Sequence, residues 1–303
     1  MSLTLAITGG TGFVGGHLVR MARGRGHAVR ALTRRPRPPQ EGITWIEGAL
    51  DRPDSLAALI AGADAVVHVA GVVNAPGRAG FAAGNIAGTE AMAAAAGAAG
   101  ARRFVHVSSL AAREPGLSDY GWSKAGAEAA IERSGLDWTM VRPPAIFGPG
   151  DTEMLELFRM ARRGLVMLPP GGRFSVIVAE ELCRLLLDLI PGADSRGRIY
   201  EPDDGVPGGW DHRDFARALG IACGRRVLPV SMPAPLLRLG AAGDRLVRRE
   251  RAKLTADRVR YFCHPDWTSD PSRAPPPSLW RPEEPTPAAL ARTAAWYRAE
   301  GWL

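Results

Sequence analysis

One of only two lysines in this chain, Lys124, stands four residues after Tyr120 in the stretch DYGWSKAG, while thirty-six arginines supply nearly all the other positive charge. On a helix, positions i and i+4 share a face one turn apart. A free tyrosine, with a pKa of about 10, is a poor base at neutral pH. An ammonium about 4 Å away would stabilise the phenolate by roughly 4 kcal/mol at an effective dielectric of 20, or about three pKa units. Such a phenol could exchange protons with an alcohol or a carbonyl. A lysine head also carries three swivelling donors that can reach ribose hydroxyls, a task for which a planar guanidinium is less suited.

The N-terminus carries a second chemical signal. The run TGGTGFVGG places Gly9, Gly12 and Gly15 at three-residue spacing between an apolar strand and an amphipathic helix. Glycines there allow a tight turn and bring backbone N–H groups and a helix N-terminus against a pyrophosphate. An NAD site usually has an acid at the end of the second strand to bind the ribose 2′-hydroxyl. Here that end reads ALTRRP, with Thr33 in the acid's place, followed by Arg34 and Arg35. Guanidinium groups suit a 2′-phosphate, so NADP(H) is favoured over NAD(H).

The elements that must position these groups follow from the hydrophobic pattern. Strands are expected at 3–8, 28–33, 43–48, 63–71, 102–109 and 136–143, and helices at 12–24, 53–61, 83–99 and 119–134. Strands that are apolar nearly throughout and alternate with helices imply a parallel sheet covered on both faces. After residue 150 the pattern turns mostly helical, although RFSVIVAEELCRLLLDLI reads as a strand and helix returning to the sheet. The expected fold is α/β, a doubly wound parallel Rossmann sheet with a smaller, mostly helical C-terminal substrate lobe. Residues 1–150 plus about 174–203 would bind the dinucleotide, and about 151–173 plus 204–303 would form the substrate lobe.

Composition removes other classes. The charge of +7 is spread as scattered arginine pairs rather than an aromatic-interleaved stripe, which argues against a nucleic-acid partner. Cys183, Cys223 and Cys263 lie about forty residues apart, matching neither a disulfide framework nor a metal site, so no metal is expected. No apolar run is long enough to span a bilayer, and the N-terminus has no secretory signal, so a cytoplasmic location is expected. The basic tail RLVRRERAK (245–253) is short and single, and membrane-surface contact is not expected from it.

Together, TGGTGFVG, YGWSK and RPPAIFGPGD (142–151) resemble the extended short-chain dehydrogenase/reductase family, the NAD(P)-dependent epimerase/dehydratase group. The resemblance implies Tyr120 as general acid/base and Lys124 as the residue that orients the nicotinamide ribose and lowers the tyrosine pKa. It also implies Ser109, rather than its neighbour Ser108, as the group holding the substrate oxygen. Cofactor contacts are implied at Gly9, Gly12, Phe13, Val14, Gly15, Arg34, Arg35, Ala49, Leu50, Ala70, Lys124 and Pro143, and a homodimer by family habit. Arg142-Pro143-Pro144 resembles the stretch lining the nicotinamide pocket. Asn85 reads as a capping or packing residue, and His68 as a core histidine. One departure stands out: the family often has Gly-Asp-Leu after the third strand, whereas this chain has Gly48-Ala49-Leu50, so the adenine contact would pass to the Leu50 backbone or to Asp51. The Pro-bounded apolar segment 228–247 and the NADP(H) preference imply interconversion of a ketone and a secondary alcohol on an apolar small molecule. A nucleotide-sugar epimerase or dehydratase with recycled cofactor, and a non-catalytic dinucleotide-binding subunit, are the alternatives.

Overall fold

The β-branched runs of the first half form strands because their side chains are buried on both faces of one sheet. In the computed structural model, which describes residues 2–101, 103–248 and 255–303, these are β1 (Thr4–Thr8), β2 (Ala28–Thr33), β3 (Ile43–Glu47), β4 (Ala65–His68), β5 (Arg103–Val107) and β6 (Asp137–Val141). A short seventh strand, Arg198–Tyr200, pairs with β6. The order across the sheet is Arg198–Tyr200, β6, β5, β4, β1, β2, β3, with every pairing parallel. Strand order reverses between β1 and β4, where Leu5 pairs with Val29 on one side and Ala65 on the other. Loops leaving the two strands in opposite directions open a crevice at that point, the usual ligand position in such sheets.

Five helices follow the strands: α1 (Phe13–Gly24), α2 (Pro53–Ile60), α3 (Gly77–Phe81), α4 (Gly88–Ala98) and α5 (Asp119–Glu132). A π-helical stretch, Ala82–Ala87, joins α3 to α4. Leu56, Leu59 and Ile60 of α2, Met92 and Ala96 of α4 and Ile131 of α5 pack with Ala6, Val66 and Phe104 of the sheet in one buried cluster. Elsewhere in this unit the Cys183 thiol reaches the Val14 carbonyl, and Arg25 pairs with Asp188 at 2.6 Å. Residues 1–142, 182–201 and 275–280 make up this first compact unit.

Residues 143–181, 202–274 and 281–303 make up the second. Its core joins Phe158 of the helix Leu155–Arg162, Phe215 and Leu219 of His212–Ala222, and Leu290 and Tyr297 of Thr286–Ala299. The expected return of Arg173–Val178 to the main sheet does not occur. Val176–Val178 instead pairs in parallel with Ala145–Phe147 inside the second unit, and RIY (198–200) supplies the seventh strand. Both runs are apolar enough for a sheet edge, three residues in three for Val176–Val178 and two in three for Arg198–Tyr200, so hydrophobicity alone does not place them. Among the described residues, no helix is long and apolar enough to cross a membrane. Residues 249–253 of the basic tail lie outside the described residues.

Candidate active site

The crevice begins with the glycine loop. Gly9 has φ +72°, and a Cβ there would sit 2.8 Å from the Ala70 amide nitrogen, so β1 and β4 loops touch backbone to backbone. A Cβ on Gly15 would lie 2.0 Å from the Gly9 carbonyl oxygen, which rules out any side chain. The Ala70 amide in turn donates to Thr8 Oγ1 at 3.1 Å. Gly12 caps α1 without a side-chain acceptor, and the first turn, opened by Phe13 and Val14, carries no acid. Its N–H groups and positive helix end are therefore left for an anion, and the loop fits a dinucleotide pyrophosphate.

At the end of β2, buried Thr33 accepts from the Arg35 amide and donates to the Arg35 carbonyl, a local turn that leaves Arg34 and Arg35 exposed. After β3, the Ala49 amide donates to Ser55 Oγ, which donates back to the Ala49 carbonyl. Asp51 is exposed and Leu50 is half-buried. Pro143, two residues past the end of β6, falls in the second unit.

Ser109, Tyr120 and Lys124 come together in the first unit. Ser109 caps the short turn Leu110–Arg113, accepting from the Ala111 amide at 3.2 Å, and its hydroxyl hydrogen-bonds the Tyr120 phenol. Ser108 turns the other way and donates to Glu128. Ser118 caps α5 through the Gly121 amide at 2.9 Å. A Cβ on Gly121 would stand 2.6 Å from the Ala111 carbonyl oxygen, so a glycine is what lets α5 press this close to the serine turn. Lys124, one turn on, is buried and donates from Nζ to the Val107 carbonyl at 2.8 Å.

The electrostatics overturn one expectation. Burial pushes the Tyr120 phenol above its ordinary pKa, and the Ser109 hydrogen bond only partly offsets this. Lys124 is not among the groups that move it; its ammonium donates to the Val107 carbonyl. Burial also brings Lys124 itself down to about 8, against an upward pull from Glu128. The phenol therefore keeps its proton at neutral pH.

Glu128, Glu201 and Arg113, which spacing did not single out, join Arg142 beside the site. Arg142 grips Glu128 through two hydrogen bonds of 2.8 and 2.7 Å and reaches Glu201 at 3.3 Å, and Arg113 meets Glu201 at 3.1 Å. The Arg142 side chain thus belongs to a buried ion network. Asn85, within the π-helical stretch, is not a cap: it accepts from the Val72 amide and donates to the Val72 carbonyl and Ser123 Oγ, tying the loop after β4 to α5. Its backbone-like pairing with a loop thirteen residues away left no trace in local pattern. His68 is fully buried between Thr8 and Thr89, and burial, with Lys124 nearby, holds it down to about 3.

A family model described as NAD(P)H-binding matches residues 9–158. The ceramide reductase of Caulobacter vibrioides is 37% identical over 99% of this chain and 96% of its own length. The chain belongs to the extended short-chain dehydrogenase/reductase family. The 2-alkyl-3-oxoalkanoate reductase of Stenotrophomonas maltophilia is 30% identical over 89% of this chain and 93% of its own. Human epimerase family protein SDR39U1, solved with NADPH, superposes with a TM-score of 0.75 over 97% of this chain and 99% of that one, at 21% identity, and so shares the fold. These relatives make the chain an NAD(P)-dependent oxidoreductase of the family, which sets aside a purely non-catalytic dinucleotide-binding role.

Proposed function

We propose that this member of the family reduces an apolar ketone to a secondary alcohol, with NADPH as the donor. The observation that carries the reading is the hydrogen bond between Ser109 and a Tyr120 phenol that holds its proton, with Lys124 one turn further along the same helix. When bound, the reduced nicotinamide supplies a hydride to the carbonyl carbon. Tyr120 gives its proton to the carbonyl oxygen as that oxygen gains charge, and Ser109 donates a hydrogen bond to the same oxygen. The phenolate then recovers a proton from solvent. Lys124 would turn from the Val107 carbonyl to the nicotinamide ribose, with its positive charge beside the transient phenolate. Arg34 and Arg35, with no carboxylate at position 33, support the 2′-phosphate and hence NADPH.

The relatives named for ceramide and for 2-alkyl-3-oxoalkanoate support an apolar ketone of the long-chain kind. The test is NADPH oxidation by the purified protein across long-chain ketones, with nucleotide sugars alongside. Long-chain ketones should be turned over, and Tyr120→Phe should lower kcat on the order of a hundredfold or more, while NADPH binding persists. Turnover of nucleotide sugars alone, or a Tyr120→Phe enzyme with normal kcat, would overturn the reading.

A further inference from the structure

We propose that the outer face of the strand pair Leu165–Leu168 and Leu228–Ser231 in the second unit docks on an anionic lipid bilayer. The proposal goes beyond the reading above, since docking needs neither cofactor nor turnover. Along Leu165–Leu168 the side chains alternate: Val166 and Leu168 are buried in the core with Phe158 and Phe215, whereas Leu165 and Met167 point outward, 44% and 50% exposed. The parallel register sets Leu228 opposite Leu165 and Val230 opposite Met167, and Leu228 is 63% exposed. Paired residues share a face, so the outer surface of this ribbon is apolar where a solvent-facing surface would be polar. Ile221, at the end of the helix leading into the second strand, is 79% exposed.

Charge identifies what covers it. Each strand is preceded by an arginine pair, Arg162-Arg163 and Arg225-Arg226, and the bond from the Leu228 amide to the Gly164 carbonyl sets the two strand starts side by side. All four arginines are exposed, and among the described residues no carboxylate pairs with any of them. Exposed Arg298 and Arg162 both act electrostatically on Cys223, which places a fifth cation nearby. Five cations bordering an apolar face match a surface that is negatively charged outside and hydrocarbon beneath, which an anionic bilayer offers. A second copy of the chain docked through the same patch would set these cations against themselves.

The experiment is co-sedimentation of the full-length protein with phosphatidylcholine vesicles, with and without about one-quarter phosphatidylglycerol, in the absence of substrate. Binding should require phosphatidylglycerol and weaken with salt. The pair of changes Arg163→Glu and Arg226→Glu should lower the bound fraction about tenfold or more. Leu165→Ser with Leu228→Ser should do the same without altering salt sensitivity of the residual binding. Unchanged thermal unfolding and NADPH affinity in both variants show that the fold is intact. Binding kept by both variants would assign it elsewhere, to the tail 245–253, and overturn the proposal. So would equal binding to neutral vesicles, or self-association abolished by the same changes. Failure of the ketone screen leaves this result standing, because no turnover is measured.

Discussion

A buried ammonium whose pKa has dropped to about 8 gives cofactor binding a pH dependence of its own. If Lys124 must be charged to hold ribose hydroxyls, NADPH affinity falls as pH rises through about 8, well below the range in which an exposed lysine titrates. Glu128 sets where that break lies, because it is the group pulling the ammonium back up. Glu128→Gln keeps the shape of the side chain but removes that pull, so the break should move to lower pH. The same change leaves Arg142 with Glu201 alone and Ser108 without its carboxylate, so stability should drop by about 3 kcal/mol, the usual cost of breaking a buried pair. Fluorescence titration of NADPH across pH measures the break. A merely structural role for Glu128 would lower stability yet leave the break in place.

Helix α5 carries both Tyr120 and Lys124, so its distance from the serine turn decides whether Ser109 meets the phenol. That distance rests on Gly121, whose missing Cβ leaves room for the Ala111 carbonyl. Gly121→Ala should push the start of α5 off the turn, because the obstructing atom is backbone and has little freedom to move. We expect a fall in kcat of about tenfold or more with NADPH affinity nearly kept, since a displacement of about 1 Å is costly to oriented catalysis. Steady-state kinetics beside cofactor titration separates the two; equal loss in both would mean general unfolding. The sheet and α5 were legible in the sequence because six β-branched runs and a tyrosine-lysine spacing are local signals. The seventh strand was not, since RIY is too short to outcompete SVIV as a strand candidate. Nor was the network under the site: Glu128 and Arg142 lie on a helix and the end of the next strand, and only the fold makes them neighbours. The downward pull of Lys124 on Tyr120 was inferred from spacing alone, and burial, which spacing does not report, reverses the net direction.

For the molecule as a whole, resistance to acid should depend on a pair of histidines in the middle of the sheet. His68 of β4 and His106 of β5 are register partners and stack with ring centroids 5.4 Å apart, both fully enclosed. Burial first, then the charge of Lys124, brings His68 down to about 3 and His106 well below its ordinary value. In the unfolded chain both titrate near the ordinary 6.5. Between those limits the unfolded state therefore binds more protons than the native one, so stability is present above about 6.5 and is lost as pH falls toward 3. His68 contributes a slope of about 1.4 kcal/mol per pH unit within that window, and His106, lowered well below its ordinary value, adds to it in the same direction. His106 also has no hydrogen-bond partner on either ring nitrogen among the described residues, whereas His68 is held by two threonines. His106→Phe should therefore remove one of the two slopes and the cost of two unpartnered polar atoms together. Circular dichroism during acid titration should show its unfolding midpoint at lower pH than the parent, with a raised Tm at neutral pH, and His106→Leu should shift the midpoint the same way. A midpoint that stays put or rises in both variants would mean that carboxylates elsewhere, not this pair, govern acid unfolding.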